Sequence, residues 1–154
     1  VDFIPGVVPG LVFAVRALTK PVDGVIIQPP VYPPFAGTIT SNGRVVVNNP
    51  LRKTDAGFEV DFDDLNKKLE SAKVLMLCTP HNPTGTVFSD EDLRRMGELC
   101  VKHDAYIFAD AIHAALLAPP RRHTYIASIS PEIADRTITL IAPSKSFNLA
   151  GLST

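Results

Sequence analysis

Lys145 lies in the segment APSKSFN, Asp110 and His113 in DAIH, Asn82 in TPHNPTG and Tyr32 in QPPVYPP. An amine, a carboxylate, an imidazole, an amide and an aromatic ring form a set that can work on an aldehyde-bearing aromatic cofactor. A lysine amine condenses with an aldehyde to a Schiff base. A carboxylate keeps a pyridine nitrogen protonated, so that the ring can accept carbanion electrons. An aromatic side chain stacks on such a ring, an amide or imidazole bonds its phenolic oxygen, and a helix N-terminus binds a phosphate. Together these are the needs of pyridoxal 5'-phosphate. The segment PGVVPG leads into the first helical pattern, so the backbone N–H groups of Val7 and Val8 are candidates for the phosphate.

Taken singly, each residue has an ordinary explanation. A tyrosine between prolines packs, an asparagine before a proline starts a turn, and an aspartate at a strand end caps the next helix. A histidine on an apolar segment is usually a satisfied core residue, and a lone lysine a solvated charge. What sets these residues apart is the element that precedes each one. Short apolar runs recur at Val25–Ile27, Val45–Val47, Val74–Leu77, Tyr106–Ala109 and Thr137–Ile141. Their continuous apolarity predicts strands covered on both faces. Between them, helical spacing groups Val8, Leu11, Val12, Val15 and Leu18, then Phe62, Leu65 and Leu69, then Leu93, Met96, Leu99 and Cys100. Ser89 and Asp92 supply an N-cap and a first-turn carboxylate for the last of these. Strand–helix alternation predicts an α/β fold of three layers, a mostly parallel sheet flanked by helices. In such sheets ligands bind beyond the carboxyl ends of the strands, where the candidate residues fall.

Composition narrows the partners. The chain has 154 residues, 45% of them hydrophobic and 20% charged, with a net charge of -1. That balance gives no support for nucleic acid or an anionic membrane surface as partner, and no apolar run approaches the ~18 residues of a membrane span. Cys78 and Cys100 have no metal-ligand spacing and read as buried free thiols of a cytoplasmic protein. A start at VDFIPGVVPG, without basic leader or initiator methionine, and an end at GLST lead us to expect a piece of a longer chain.

PHNPTG, the Asp-x-x-His of DAIH and SKSFNLAGL, in this order and at these separations, resemble the fold-type-I pyridoxal-phosphate enzymes of the class I/II aminotransferase superfamily. The resemblance covers essentially all of the chain. It implies that Lys145 is the Schiff-base lysine, Asp110 the partner of the pyridine nitrogen, Asn82 the donor to the phenolic oxygen and Tyr32 the stacking ring. His113 would also touch that oxygen, and Ser144 would hold the phosphate together with the backbone at Val7 and Val8. VYPPF, CTPHNPTG, the histidine of DAIH and SKSFNLAGL resemble the MalY/PatB-type carbon–sulfur β-lyases, which cleave cystathionine or cysteine conjugates. Typical aminotransferases carry an arginine eight positions after the lysine, where this chain has Ser153. Relatives usually have glutamate where Ala111 stands. The resemblance further implies that residues 1–154 are the central part of the cofactor-binding large domain. An N-terminal segment, the last sheet strand and a C-terminal small domain with the substrate-binding arginine would lie outside it. The full-length protein would be a homodimer acting on an amino-acid substrate, and the piece alone inactive. An aminotransferase and a non-catalytic regulatory relative are the alternatives.

Overall fold

All five apolar runs become strands of one parallel sheet. The computed structural model of the chain describes residues 1–152. In chain order its elements are α1 (Val7–Leu18), β1 (Gly24–Ile27), α2 (Pro34–Thr40), β2 (Val45–Asn48), β3 (Arg52–Thr54), β4 (Gly57–Glu59) and α3 (Phe62–Leu69). They continue with β5 (Ala72–Cys78), α4 (Asp90–Lys102), β6 (Tyr106–Asp110), α5 (Pro131–Ala134) and β7 (Thr137–Leu140). The sheet runs β2-β1-β5-β6-β7, and every neighbouring pair in it is parallel. From β1 the chain first moves outward to β2, then returns to place β5 on β1's other side. The order therefore reverses between β1 and β5, and a crevice opens beyond their carboxyl ends.

Side-chain alternation sorts the core into two layers. Val25, Ile27, Val74, Met76, Cys78 and Phe108 face α1 and α2. Ile26, Leu75, Leu77, Ile107 and Ala109 face α3, α4 and α5. α1 comes close to β7 because residue 10 has no side chain: a Cβ on Gly10 would lie 2.7 Å from Leu140 Cδ2. The buried stripe of α1 is Val7, Leu11, Ala14 and Val15 with Gly10, whereas Val8, Val12 and Leu18 are half-buried. The stripe expected from Val8, Leu11, Val12, Val15 and Leu18 is thus rotated toward Val7 and Ala14 by that close approach. α3 and α4 bury the expected residues, except that Phe62 and Leu99 are half-buried.

Coverage on both faces holds for β1, β5 and β6 but fails at the edges. Val45 of β2 is 49% exposed and most of β7 is half-buried, since an edge strand has one neighbour and a thinner helical cover. The antiparallel β3–β4 hairpin, α2 and the short α5 were not expected. Among the described residues no helix is long and apolar enough to cross a membrane.

Candidate active site

Strand parity decides what reaches the carboxyl edge on the α1 side. Cys78 ends β5 and Asp110 ends β6, and the two are register partners. Each lies two residues beyond a side chain of the α1–α2 layer, Met76 and Phe108 respectively, so both emerge toward α1. They belong to a cavity of about 320 Å³, a size that suits a small molecule. Tyr32, from the loop after β1, and Asn82, from the turn after β5, come from the two sides of the strand-order reversal. His113 follows β6, and Ser144 and Lys145 lie in the turn after β7. Val7 and Val8 open α1 on the same space. All eight residues singled out in the sequence line this one cavity.

The cavity's charges come from three sources. Asp110 is 4% exposed, and among the described residues its carboxylate accepts one hydrogen bond, from Ile112 N at 3.1 Å. Burial pushes its carboxyl above the usual range, while that N–H and the nearby His113 and Lys145 pull the other way. Lys145 is exposed in a turn closed by Phe147 N to Pro143 O and Leu149 N to Ser144 O, both 2.9 Å. The third source is the end of α1. Gly6 takes φ +111°, a left-handed conformation that favours glycine, and among the described residues no side chain caps the helix. No acidic residue occupies its first turn. The first N–H groups of the helix and the positive end of its dipole are thereby left to the cavity.

These features fit pyridoxal 5'-phosphate. A buried carboxylate with one donor suits a protonated ring nitrogen, an uncapped helix start suits a phosphate, and the lysine stands within electrostatic reach of the carboxylate.

Cys78 and Ile112 also line the cavity and were missed in the sequence. Cys78 was read as a bland core thiol; counting parity from Met76 would have brought it to the same edge as Asp110. Its Sγ accepts from Asn82 N at 3.3 Å and lies 3.5 Å from Pro80 O, and burial pushes the thiol up to about 12. It therefore stays a protonated thiol that braces the Asn82 turn. Ala111 is buried and is not among the residues that line the cavity. Ser153 lies outside the described residues.

Residues 1–153 match the family described as aminotransferase class I and II. The chain belongs to that family. It is 46% identical to cystathionine beta-lyase PatB of Bacillus subtilis (strain 168), over 99% of this chain and 40% of that one. Cystalysin from Treponema denticola, whose crystal structure contains a pyridoxal 5'-phosphate cofactor, superposes with a TM-score of 0.94 at 41% identity, over 97% of this chain and 39% of its own. The PLP-bound C-S lyase from Staphylococcus hominis gives a TM-score of 0.94 at 34% identity, over 99% and 39%. The chain thus spans about two fifths of the length of these relatives.

Proposed function

We propose that this family member is the cofactor-binding part of a pyridoxal-5'-phosphate-dependent carbon–sulfur β-lyase. It would cleave cystathionine or a cysteine conjugate, with uptake of one water, to a thiol, pyruvate and ammonia. The observation that carries this reading is the single cavity lined by Asp110, Lys145 and the uncapped start of α1. The 46% identity to a cystathionine beta-lyase supports the choice of reaction.

The residues divide the work by position. Ser144 Oγ and the N–H groups of Val7 and Val8 would hold the phosphate. Tyr32 would stack on the ring, and Asn82 with His113 would bond its phenolic oxygen. The Asp110 carboxylate holds the proton on the ring nitrogen, which in turn offsets the burial that raises its own carboxyl. When bound, the cofactor supplies an electron sink for the substrate's Cα. The amine of Lys145 would hold the cofactor at its aldehyde and, once substrate is bound, would take the Cα proton as general base. The Cβ–S bond then breaks with its electron pair on sulfur, which leaves as thiolate.

The shares of the relatives' lengths support a larger protein. Residues 1–154 would be the central part of its cofactor-binding domain, with a preceding segment, a strand beside β7 and a C-terminal small domain completing it as a homodimer. The test is made on that full-length protein with cystathionine. Equal amounts of pyruvate and ammonia, formed without added keto acid and lost in Lys145→Ala, are expected. Amino transfer to a keto acid without thiol release would make it an aminotransferase instead.

A further inference from the structure

The turn that presents Asn82 is held by a side chain that does not enter the cavity. His81 is 2% exposed, and its ring meets Phe88 edge-on at 5.9 Å. Its backbone closes the turn through His81 N to Thr86 O and Gly85 N to His81 O, each 2.8 Å. Its ring nitrogens reach in two directions. Nδ1 lies 2.9 Å from Thr84 Oγ1 in the same turn, and Nε2 lies 3.3 Å from the carbonyl oxygen of Gln28. Gln28 opens the loop that carries Tyr32, and its own amide is buried and donates to Asn49 Oδ1 at 3.1 Å. The imidazole thus spans from the β5 turn to the β1 loop, across the reversal in strand order.

The partners settle the tautomer. A carbonyl oxygen only accepts, so Nε2 carries the proton and Nδ1 accepts from the Thr84 hydroxyl. Thr84 Oγ1 in turn accepts from Thr86 N at 3.3 Å and lies 2.8 Å from the Thr86 hydroxyl. Burial holds the ring's pKa below its ordinary value, in keeping with a neutral imidazole.

We propose that His81 is a positioning residue, whose bridge from the Thr84 hydroxyl to the Gln28 carbonyl sets the separation of Asn82 and Tyr32 across the cofactor cavity. The inference rests on the cofactor reading above. A small displacement of either group would weaken the ring's binding and alter the hydrogen bond to its phenolic oxygen.

The experiment compares His81→Phe, His81→Gln and His81→Asn in the full-length protein loaded with pyridoxal 5'-phosphate. Phenylalanine fills the volume and makes neither bond. Glutamine can return an N–H to the Nε2 position and donate to Gln28 O, whereas asparagine reaches only as far as Thr84. Three quantities are read: cofactor affinity, the pH at which the bound cofactor's visible absorbance changes, and the Tm of the cofactor-free protein. Phe and Asn are expected to weaken affinity about tenfold and to move the absorbance midpoint by about half a pH unit. Gln should keep both near wild type, with Tm falling similarly in all three. Equal effects of Gln and Asn, or a Phe variant with wild-type affinity and midpoint, would overturn the inference. If the Phe variant does not fold, the Gln–Asn contrast decides alone. A wild-type protein that shows no cofactor absorbance would overturn the cofactor reading and this inference with it, an outcome distinct from a normal wild type with unaffected variants.

Discussion

Helices α1 and α4 begin in opposite ways. α4 satisfies its own first turn: Ser89 Oγ accepts from Asp92 N at 3.1 Å, and the Asp92 carboxylate accepts from Ser89 N at 3.2 Å. Asp90, Glu91 and Asp92 add negative charge at the positive end of its dipole. α1 has glycine at the N-cap, no side-chain cap and no first-turn acid. α4's start is complete in itself, and an anion there would meet three carboxylates. α1's start leaves its donors to a cavity that also contains a serine hydroxyl and a lysine amine. A chain that can cap α3, α4 and α5 with Asp61, Ser89 and Ser130 leaves uncapped the long helix that opens on the cavity. α2 lacks a side-chain cap as well, but α1 opens its uncapped start on the cavity, where the proposed phosphate site gives the omission a use.

The contrast breaks most sharply if α1 is given what α4 has. Val8→Asp in the full-length protein places a carboxylate at the proposed phosphate site. Absorbance titration should show cofactor affinity falling on the order of 100-fold. Glu91→Gln, the matched change at α4, should leave affinity at wild type.

Asp110→Asn separates function from stability. Turnover should fall on the order of 1,000-fold, since the ring nitrogen loses its counter-charge. The cofactor-free protein should gain stability at neutral pH. Burial raises the Asp110 carboxyl in the folded state, so the unfolded chain releases its proton first and wild-type stability declines as pH rises above the ordinary value of 3.8. Urea unfolding should therefore favour the variant at pH 7, with the gap closing below that ordinary value.

Ser144→Ala should cost about tenfold in cofactor affinity, through one charge-assisted hydrogen bond, and leave unfolding unchanged. The smallest effect is at the other helix. Ser89→Ala should lower stability by about 1 kcal/mol and leave cofactor affinity alone.

The strands were legible because a parallel strand must be apolar along its length, as in Val74–Leu77, and the helices α3 and α4 because one face must be. Asp110, Asn82, Tyr32 and Lys145 stood out because each follows such a run. What was not legible had no periodicity to read. The β3–β4 hairpin is short and polar, RKT and GFE, and α2 hides in PFAGTIT behind two prolines and with a glycine inside. The sheet order could not be read, and with it went the position of the crevice between β1 and β5. Cys78 was passed over because type and burial were considered without parity. His81 was passed over because its role lies in a carbonyl, Gln28 O, far away in sequence.

Borohydride reduction of the loaded full-length protein, followed by peptide mapping, tests the central claim most directly. A stable pyridoxyl group on the peptide containing Lys145, and on no other, is the result predicted by a cavity that brings this amine to the cofactor. Absence of the group, or its appearance on a lysine remote from the cavity such as Lys20 or Lys73, would contradict it.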